Sequence, residues 1–244
     1  ILRLADIFNT DYVHFGSDEV RQHNWEGRPD MLAKMRELKL KDQHEFEGWF
    51  DCRMADFIVD SGLKPIAWDE ASDFGVNKAT ILQWWRGEYP EVLEIAAERG
   101  YKIILSPVDY LYLDYPSDLK EAGANWEGLH NGPNSMEALY QWKPVPDNFN
   151  ESMTNQIIGI EAGIWTEFID NQKRLEYITY PRLFAVAEKA WTAENDIDWD
   201  LFQERLTKRY ARLKAKGINY RIPNITIEER KKRQPEAFDG PISE

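Results

Sequence analysis

A short apolar segment that ends in two adjacent acids is the clearest structural signal in the chain: Tyr12-Val13-His14-Phe15-Gly16-Ser17-Asp18-Glu19-Val20. Its β-branched and aromatic residues stop at a Gly-Ser pair, a pattern typical of a buried strand that ends in a turn. The acids therefore follow the carboxyl end of a strand, where α/β barrels and open α/β sheets place their chemistry. A helix cap would use the same residue types, so this segment alone supports both interpretations.

The composition argues against several classes of partner. The 244 residues include 43 acidic and 30 basic side chains, with a formal net charge of −13 and no dense Lys/Arg block. Affinity for nucleic acids and for anionic membrane surfaces comes largely from basic residues, so neither is expected as a partner. No apolar run approaches the roughly 20 residues of a membrane span. The single Cys52 excludes an internal disulfide and a cysteine-based metal cluster.

Predicted strands and helices alternate along the chain, which is typical of a parallel sheet with crossover helices. Strands are predicted at residues 12–16, 64–70, 80–85, 101–106 and 156–161. Helices are predicted at residues 31–38, 42–61, 91–99, 135–140, 175–192 and 199–216, with a long aromatic loop at 107–133. In the helix at 42–61, one face is expected to carry Phe46, Trp49, Phe50, Phe57 and Ile58.

The predicted strands are fewer than a closed barrel needs. Five are predicted, whereas an α/β barrel contains eight. The chain has no initiator methionine and begins with helix-like sequence at residues 1–9. These features favour part of a longer barrel, with about three upstream βα units absent, over an open sheet. The charged segment that follows Pro223 is expected to be a frayed tail.

Aromatic and acidic residues recur at the predicted strand ends. Residues two apart on a strand share a face, and such pairs are Gln83 with Trp85, Tyr112 with Asp114, and Trp165 with Glu167. Indole rings stack on the apolar faces of sugars, and carboxylates accept hydrogen bonds from sugar hydroxyls. Together with Asp18, Glu19 and Trp68, these residues predict a carbohydrate site. No phosphate-binding Gly loop, Ser-His-Asp set or metal-spaced histidines appear, so no cofactor or metal is expected.

The adjacent acids constrain the mechanism. Most glycosidases place two carboxyl groups on either side of the scissile bond, about 5–10 Å apart. Consecutive residues are badly placed to straddle a bond, but one of them can serve as the acid/base if the substrate supplies the nucleophile, as in substrate-assisted families.

These residues carry a family resemblance. The segment His14-Phe15-Gly16-Ser17-Asp18-Glu19 resembles the His-x-Gly-Gly-Asp-Glu motif of glycoside hydrolase family 20, the β-N-acetylhexosaminidases. Matching motifs follow in the family's order up to about Pro223: Ile66-Ala67-Trp68-Asp69-Glu70, Gln83-Trp84-Trp85-Arg86, Tyr112-Leu113-Asp114-Tyr115, Gly163-Ile164-Trp165-Thr166-Glu167, and the segments at residues 180–191 and 217–223.

The resemblance implies an α/β fold, a (β/α)8 TIM barrel of which this chain holds strands four to eight with their helices. Residues 1–223 would be the C-terminal part of the catalytic barrel, and residues 224–244 a charged tail. The implied reaction is exo-acting, retaining, substrate-assisted cleavage of terminal β-linked N-acetylglucosamine or N-acetylgalactosamine from a glycan or chito-oligosaccharide. The implied location is periplasmic, secreted or lysosomal-type, and the sequence predicts no particular oligomeric state.

The resemblance also implies a role for each site residue. Glu19 would be the general acid/base, Asp18 would orient the substrate's acetamido group, and Tyr112 would donate a hydrogen bond to the acetamido oxygen. Apart from the resemblance, His14 is expected to hold the acid pair by hydrogen bonding rather than to titrate in catalysis, and it is counted among the substrate-binding residues. The remaining residues would bind the sugar, through the indoles of Trp68, Trp85 and Trp165 and the carboxylates of Asp114 and Glu167.

Some positions depart from the family pattern or allow a plainer interpretation. Ser17 stands where the family usually has glycine, and the family's substrate-binding arginine from the first strand has no counterpart in the chain. Trp84 is expected to face the helices. The second acid pair, Asp69-Glu70, is expected to support the site or cap a loop, and Trp126 and Trp142 either rim the site or pack. The alternative function is a non-hydrolytic glycan-binding protein or an inactive fragment on the same barrel.

Overall fold

The computed structural model describes residues 1–118, 121, 124 and 134–238. The chain forms two compact units, one comprising Ile1–Leu105 and Val145–Ile158 and the other Ser106–Pro144 and Gly159–Glu244. Among the described residues, no helix combines the length and apolar character that crossing a membrane requires.

The five predicted strands are confirmed, each somewhat shorter than predicted. They are β1 (Tyr12–His14), β2 (Lys64–Trp68), β3 (Ile81–Trp84), β4 (Lys102–Leu105) and β5 (Ile157–Ile160). They form one sheet in the order β1-β2-β3-β4-β5, and the pairs β1–β2, β2–β3 and β3–β4 are parallel. Ala67, Leu82 and Ile103 on the central strands are fully buried, as expected for a sheet covered on both faces.

Helices connect the strands, and several of them lie where the sequence predicts them. They are α1 (Leu2–Phe8), α2 (Pro29–Leu38), α3 (Gln43–Asp60), α4 (Pro90–Glu98), α5 (Val108–Leu111), α6 (Met136–Gln141), α7 (Glu151–Thr154), α8 (Gln172–Thr179), α9 (Arg182–Trp191), α10 (Trp199–Ala215) and α11 (Ile227–Arg233). Short 3-10 helices lie at Gln22–Trp25, Asp69–Phe74, Glu194–Asp196 and Pro235–Ala237. Strands that are joined by helices and lie in sequential order across the sheet fit a partial (β/α) barrel.

The apolar face predicted for α3 is partly wrong. Phe46 and Ile58 are buried, but Phe50 and Phe57 are 49% and 47% exposed. Gly48 faces inward instead. It lies so close to Phe74 that the Cβ of an alanine at this position would be 2.5 Å from the Phe74 ring. Close packing against the 3-10 helix Asp69–Phe74 therefore selects small side chains, and the largest apolar residues are displaced to the outside.

The single helix predicted at residues 175–192 is also wrong, because α8 ends at Thr179 and α9 begins at Arg182. Pro181 lies between them, and proline lacks the N–H that a continuous helix needs. The long predicted loop contains α5, whereas Trp126 lies outside the described residues. The short α7 was not predicted; Asn150 caps it by accepting a hydrogen bond from the Met153 N–H at 3.0 Å.

The tail does not fray over its described part. Residues 227–233 form α11, and Arg230, Gln234 and Ala237 are buried. Arg230 donates through Nε to the Ile222 carbonyl at 2.9 Å, and its Nη1 lies 3.5 Å from the buried Glu121 carboxylate, which Arg221 also contacts at 2.8 Å. The charges that suggested a solvated tail are thus partly satisfied inside the second unit. Residues 239–244 lie outside the described residues, and the predicted boundary at residue 223 stays a prediction.

Trp142 packs in the second unit. Its indole stacks on Tyr110, with ring centroids 5.3 Å apart, and packs against the buried cluster that includes Leu111, Leu139 and Phe202. These contacts favour the packing interpretation of Trp142.

Candidate active site

A turn in the left-handed backbone region presents the acid pair after β1. Gly16, Ser17 and Glu19 have φ angles of +91°, +85° and +44°, and both Asp18 and Glu19 are exposed. Residues other than glycine rarely adopt such angles, which gives a physical reason for the glycine that the resemblance places at position 17. The turn remains attached to β2, because the Trp68 N–H donates to the Gly16 carbonyl at 2.9 Å.

Three side chains hold this turn. His14 accepts a hydrogen bond from the Gly16 N–H through Nδ1 at 3.1 Å. The Ser17 hydroxyl donates to the Asp51 carboxylate of α3, and Gln22 donates to Glu47 of the same helix at 2.6 Å. Burial raises the pKa of Asp51 to about 6, the Ser17 hydrogen bond opposes that rise, and the nearby Glu47 and Glu70 carboxylates add to it.

Aromatic side chains follow at the ends of β2 and β3. The Trp68 ring lies edge-on to His14, with centroids 5.2 Å apart. Trp84 is buried, and Trp85 is half-buried with its Nε1–H directed at Glu70, 3.2 Å from each carboxylate oxygen.

The second acid pair, Asp69 and Glu70, forms hydrogen bonds with side chains at the end of β3. Glu70 fixes the Trp85 indole, and Asp69 accepts a hydrogen bond from the Arg86 Nε at 3.0 Å. Burial and the adjacent Glu70 raise the pKa of Asp69, while Arg86 opposes the rise. The pair therefore anchors an aromatic wall and a guanidinium.

In the second unit, Tyr112 and Trp165 come together around Gly163. Tyr112 forms an isolated parallel bridge with Gly163, and the Tyr112 and Trp165 ring centroids are 5.7 Å apart. A Cβ on Gly163 would lie 3.1 Å from the Trp165 Nε1 and 3.5 Å from the Tyr112 Cδ1. The glycine thus permits close approach of the two rings. Trp165 is 40% exposed, which leaves part of its indole accessible to a ligand.

Asp114 is a buried carboxylate in the same unit, whereas Glu167 is exposed. Burial raises the pKa of Asp114 to about 6; backbone N–H groups at Asp114 and Trp165 and the Arg182 guanidinium oppose the rise, and Glu167 adds to it. Among the described residues, neither Asp114 carboxylate oxygen makes a well-formed hydrogen bond. A polar ligand would satisfy these oxygens.

Two buried side chains that the sequence analysis did not single out hold the backbone around Asp114. Arg182 of α9 donates to the carbonyls of Leu113, Tyr115 (2.9 Å), Asn134 (2.8 Å) and Ile178 (2.8 Å). Asn134 donates to the carbonyls of Val108 and Tyr112 at 2.8 and 2.9 Å. Only the position of Arg182 inside an apolar helix pattern hinted at such a role.

The structure thus places the predicted site residues in two groups. His14, Asp18, Glu19, Trp68 and Trp85 lie at the carboxyl ends of β1, β2 and β3 in the first unit. The second unit contains the group around Gly163, namely Tyr112, Asp114, Trp165 and Glu167. No cluster of His, Cys, Asp or Glu suited to hold a metal ion occurs among the residues that the structure describes.

Comparison with known proteins identifies similar enzymes. Residues 1–194 match the family model described as "Glycosyl hydrolase family 20, catalytic domain". The chain is 31% identical to a beta-hexosaminidase of Porphyromonas gingivalis over 222 residues, which cover 90% of the chain and 28% of that protein. It is 31% identical to a beta-N-acetylhexosaminidase of Cellulomonas fimi over 210 residues, covering 84% of the chain and 37% of that protein.

Solved structures of similar enzymes also match the fold of the chain. A GH20 exo beta-N-acetylglucosaminidase from Vibrio harveyi, in complex with N-acetylglucosamine, matches with a TM-score of 0.80 and 31% identity, over 91% of this chain and 34% of that one. The beta-N-acetylhexosaminidase of Bacteroides fragilis matches with a TM-score of 0.74 and 26% identity, over 89% of this chain and 44% of that one. The chain spans roughly a third of the length of the two curated relatives.

Proposed function

Because the chain belongs to glycoside hydrolase family 20, we propose that the protein that carries it removes terminal β-linked N-acetylglucosamine or N-acetylgalactosamine from glycans or chito-oligosaccharides. The observation that supports this most is the turn at residues 16–19, which holds two exposed carboxylates side by side at a strand end. The N-acetylglucosamine bound to the Vibrio harveyi relative supports the sugar class.

The reaction we propose is retaining and substrate-assisted. The acetamido carbonyl oxygen of the substrate attacks the anomeric carbon while the glycosidic bond breaks, and Glu19 transfers its proton to the leaving oxygen. The product of this step is a cyclic oxazolinium ion. Water then attacks the anomeric carbon, Glu19 accepts its proton, and the bond from the anomeric carbon to the acetamido oxygen breaks. Adjacent carboxyl groups suit this route, because only one of them has to act at the scissile bond.

The other residues have electrostatic and binding roles. Asp18 orients the acetamido N–H and balances the positive charge that develops on the ring, a preorganised stabilisation of the transition state. Tyr112 donates to the acetamido oxygen. Trp68, Trp85 and Trp165 provide flat apolar surfaces for the sugar, and Asp114 and Glu167 accept hydrogen bonds from its hydroxyls. The family relationship further suggests a periplasmic, secreted or lysosomal-type location.

The test is hydrolysis of an aryl β-N-acetylglucosaminide by the complete protein and its Glu19→Gln variant. Loss of a general acid/base costs about 10²–10⁴-fold in kcat, and we expect such a loss for Glu19→Gln, with Glu26→Gln as a control at a nearby exposed acid. A wild-type protein that binds the sugar without cleaving it would support the glycan-binding alternative. Full activity of Glu19→Gln would refute the role of Glu19.

A further inference from the structure

We propose that Ser17 and Asp51 form a positioning pair that holds Glu19 where it can deliver its proton, an inference that rests on the proposed function. The Ser17 hydroxyl donates to the Asp51 carboxylate, and the two residues are 8% and 3% exposed. Neither residue touches the reacting atoms in the proposed mechanism, so the pair acts through the turn.

The acid pair is fastened on both sides to one helix. Ser17 precedes Asp18-Glu19 and is held by Asp51, whereas Gln22 follows them and is held by Glu47 at 2.6 Å. Glu47 and Asp51 are four residues apart on α3, so both project from the same buried face. A single helix therefore fixes both ends of the segment that carries the catalytic acids.

That helix is a firm support. It runs for 18 residues, its N-terminus is capped by Asp42, which accepts a hydrogen bond from the Glu45 N–H at 2.9 Å, and Gly48 allows it to approach Phe74 closely. Buried acids on such a face are costly unless they are hydrogen-bonded. The hydrogen bonds that Asp51 accepts from Ser17 and Glu47 accepts from Gln22 offset the cost of burying these two acids.

The turn needs such an attachment because its backbone is strained. Ser17 and Glu19 both have positive φ angles, and residues other than glycine keep these angles only when their surroundings enforce them. A glycine at position 17 would adopt the angle without strain but would have no hydroxyl to bond Asp51. Compared with glycine, Ser17 has a more strained backbone, but its hydroxyl holds the turn to Asp51 close to the catalytic acid.

Loss of the anchor has a specific kinetic consequence. A displacement of about 1 Å can cost 10²-fold in rate, and a displaced Glu19 delivers its proton poorly to the leaving oxygen. A nitrophenol has a low pKa and can leave with little help from an acid. A sugar hydroxyl has a high pKa and needs a proton from the acid before it can leave. The loss of activity therefore depends on the leaving group, which general unfolding would not reproduce.

The experiment compares two substrates in the complete protein: a nitrophenyl β-N-acetylglucosaminide and N,N′-diacetylchitobiose. We expect Asp51→Ala to lower kcat/KM on the disaccharide about 30-fold and kcat/KM on the nitrophenyl substrate less than about threefold. This ratio covers only the steps up to cleavage of the glycosidic bond, so it leaves out the later attack of water, in which Glu19 acts as a base on both substrates. Asp51→Asn keeps an acceptor oxygen and should restore kcat/KM on the disaccharide. Asp56→Ala, which removes the bond from Asn77 to the same helix, is the matched control and should behave like wild type.

Ser17→Gly guards against a variant that fails to fold, since glycine suits the backbone angle. It should reproduce the leaving-group dependence of Asp51→Ala, and the double variant should lose no more than either single one. Equal losses on both substrates, or wild-type kinetics in Ser17→Gly and Asp51→Ala, would overturn the proposal. A wild-type protein that cleaves neither substrate would instead overturn the proposed function, and this inference with it.

Discussion

The indole of Trp85 donates its Nε1–H to Glu70, at 3.2 Å from each carboxylate oxygen. An acid from the end of β2 therefore fixes an aromatic side chain at the end of β3. The contact shows how a second pair of acids can support a neighbouring side chain without taking part in proton transfer. It also makes the orientation of one proposed sugar-binding residue testable.

Replacement of Glu70 is expected to weaken sugar binding. In Glu70→Ala, the Trp85 indole loses this acceptor, and a hydrogen bond to a charged group contributes about 1.5–3 kcal/mol. We expect KM for an aryl β-N-acetylglucosaminide to rise about tenfold, with kcat nearly unchanged. Glu70→Gln keeps an acceptor oxygen and is the control. An unchanged KM in Glu70→Ala would show that the indole is held by other contacts.

Arg182 is expected to be essential for the stability of the second unit. Its guanidinium donates to four backbone carbonyls around Asp114, and Arg182→Met would leave these buried acceptors unsatisfied at about 1–3 kcal/mol each. We expect a large fall in Tm, measured by calorimetry. Arg174→Met is the matched control, because among the described residues the two Nη atoms of that buried arginine have no hydrogen-bond partner. A similar fall in Tm for both variants would contradict the importance of the carbonyl network.

Asp114 is expected to make stability depend on pH in a defined window. Its pKa is about 6 in the folded protein against an ordinary 3.8, so the folded state keeps a proton that the unfolded chain releases between these values. This contribution to stability is complete below the lower pKa and is lost as the pH rises through the upper one.

Asp114→Asn removes this titration. Relative to wild type, the variant should gain up to about 3 kcal/mol between acid and neutral pH, measured by denaturant unfolding at several pH values. Its affinity for the sugar should fall at the same time. A stability difference that stays constant across the window would mean that Asp114 titrates normally.

A side chain at Gly163 is expected to crowd the two rings beside it. A Cβ would lie 3.1 Å from the Trp165 Nε1 and 3.5 Å from the Tyr112 Cδ1, so Gly163→Ala should push the two rings apart. We expect a loss of about 1–3 kcal/mol in stability from overpacking and a higher KM. Gly159→Ala, in β5, has no atom within 4 Å of the added Cβ and is the control. Equal behaviour of the two variants would remove the steric argument.

Local patterns made much of the fold predictable. All five strands could be predicted from apolar runs bounded by turn residues, because a strand that is buried on both faces is apolar along its whole length. The bounds of α3 were predictable because helix ends depend on local features: Asp42 caps the N-terminus with its side chain, and Gly62, just after the helix, has a positive φ. The acids and tryptophans at the strand ends could be identified because they directly follow these apolar runs in the sequence.

Contacts between side chains far apart in the sequence could not be predicted. The Ser17–Asp51 contact joins residues 34 positions apart, and Glu121 reaches Arg221 across 100 positions. Nothing in a local pattern distinguishes an acid that will be buried and paired from one that stays in solvent. The inward face of α3 was mispredicted for a related reason: the partner surface, here Phe74 against Gly48, decides which residues fit.

The most direct test of the proposed mechanism is a rate series on aryl β-glucosaminides whose N-acetyl group carries zero to three fluorine atoms. Fluorine withdraws electrons from the carbonyl oxygen and weakens it as a nucleophile, while the leaving group stays the same. If the substrate's own acetamido group attacks the anomeric carbon, kcat/KM must fall steeply with each fluorine. A rate independent of fluorination would contradict substrate assistance, and with it the roles assigned to Asp18 and Tyr112.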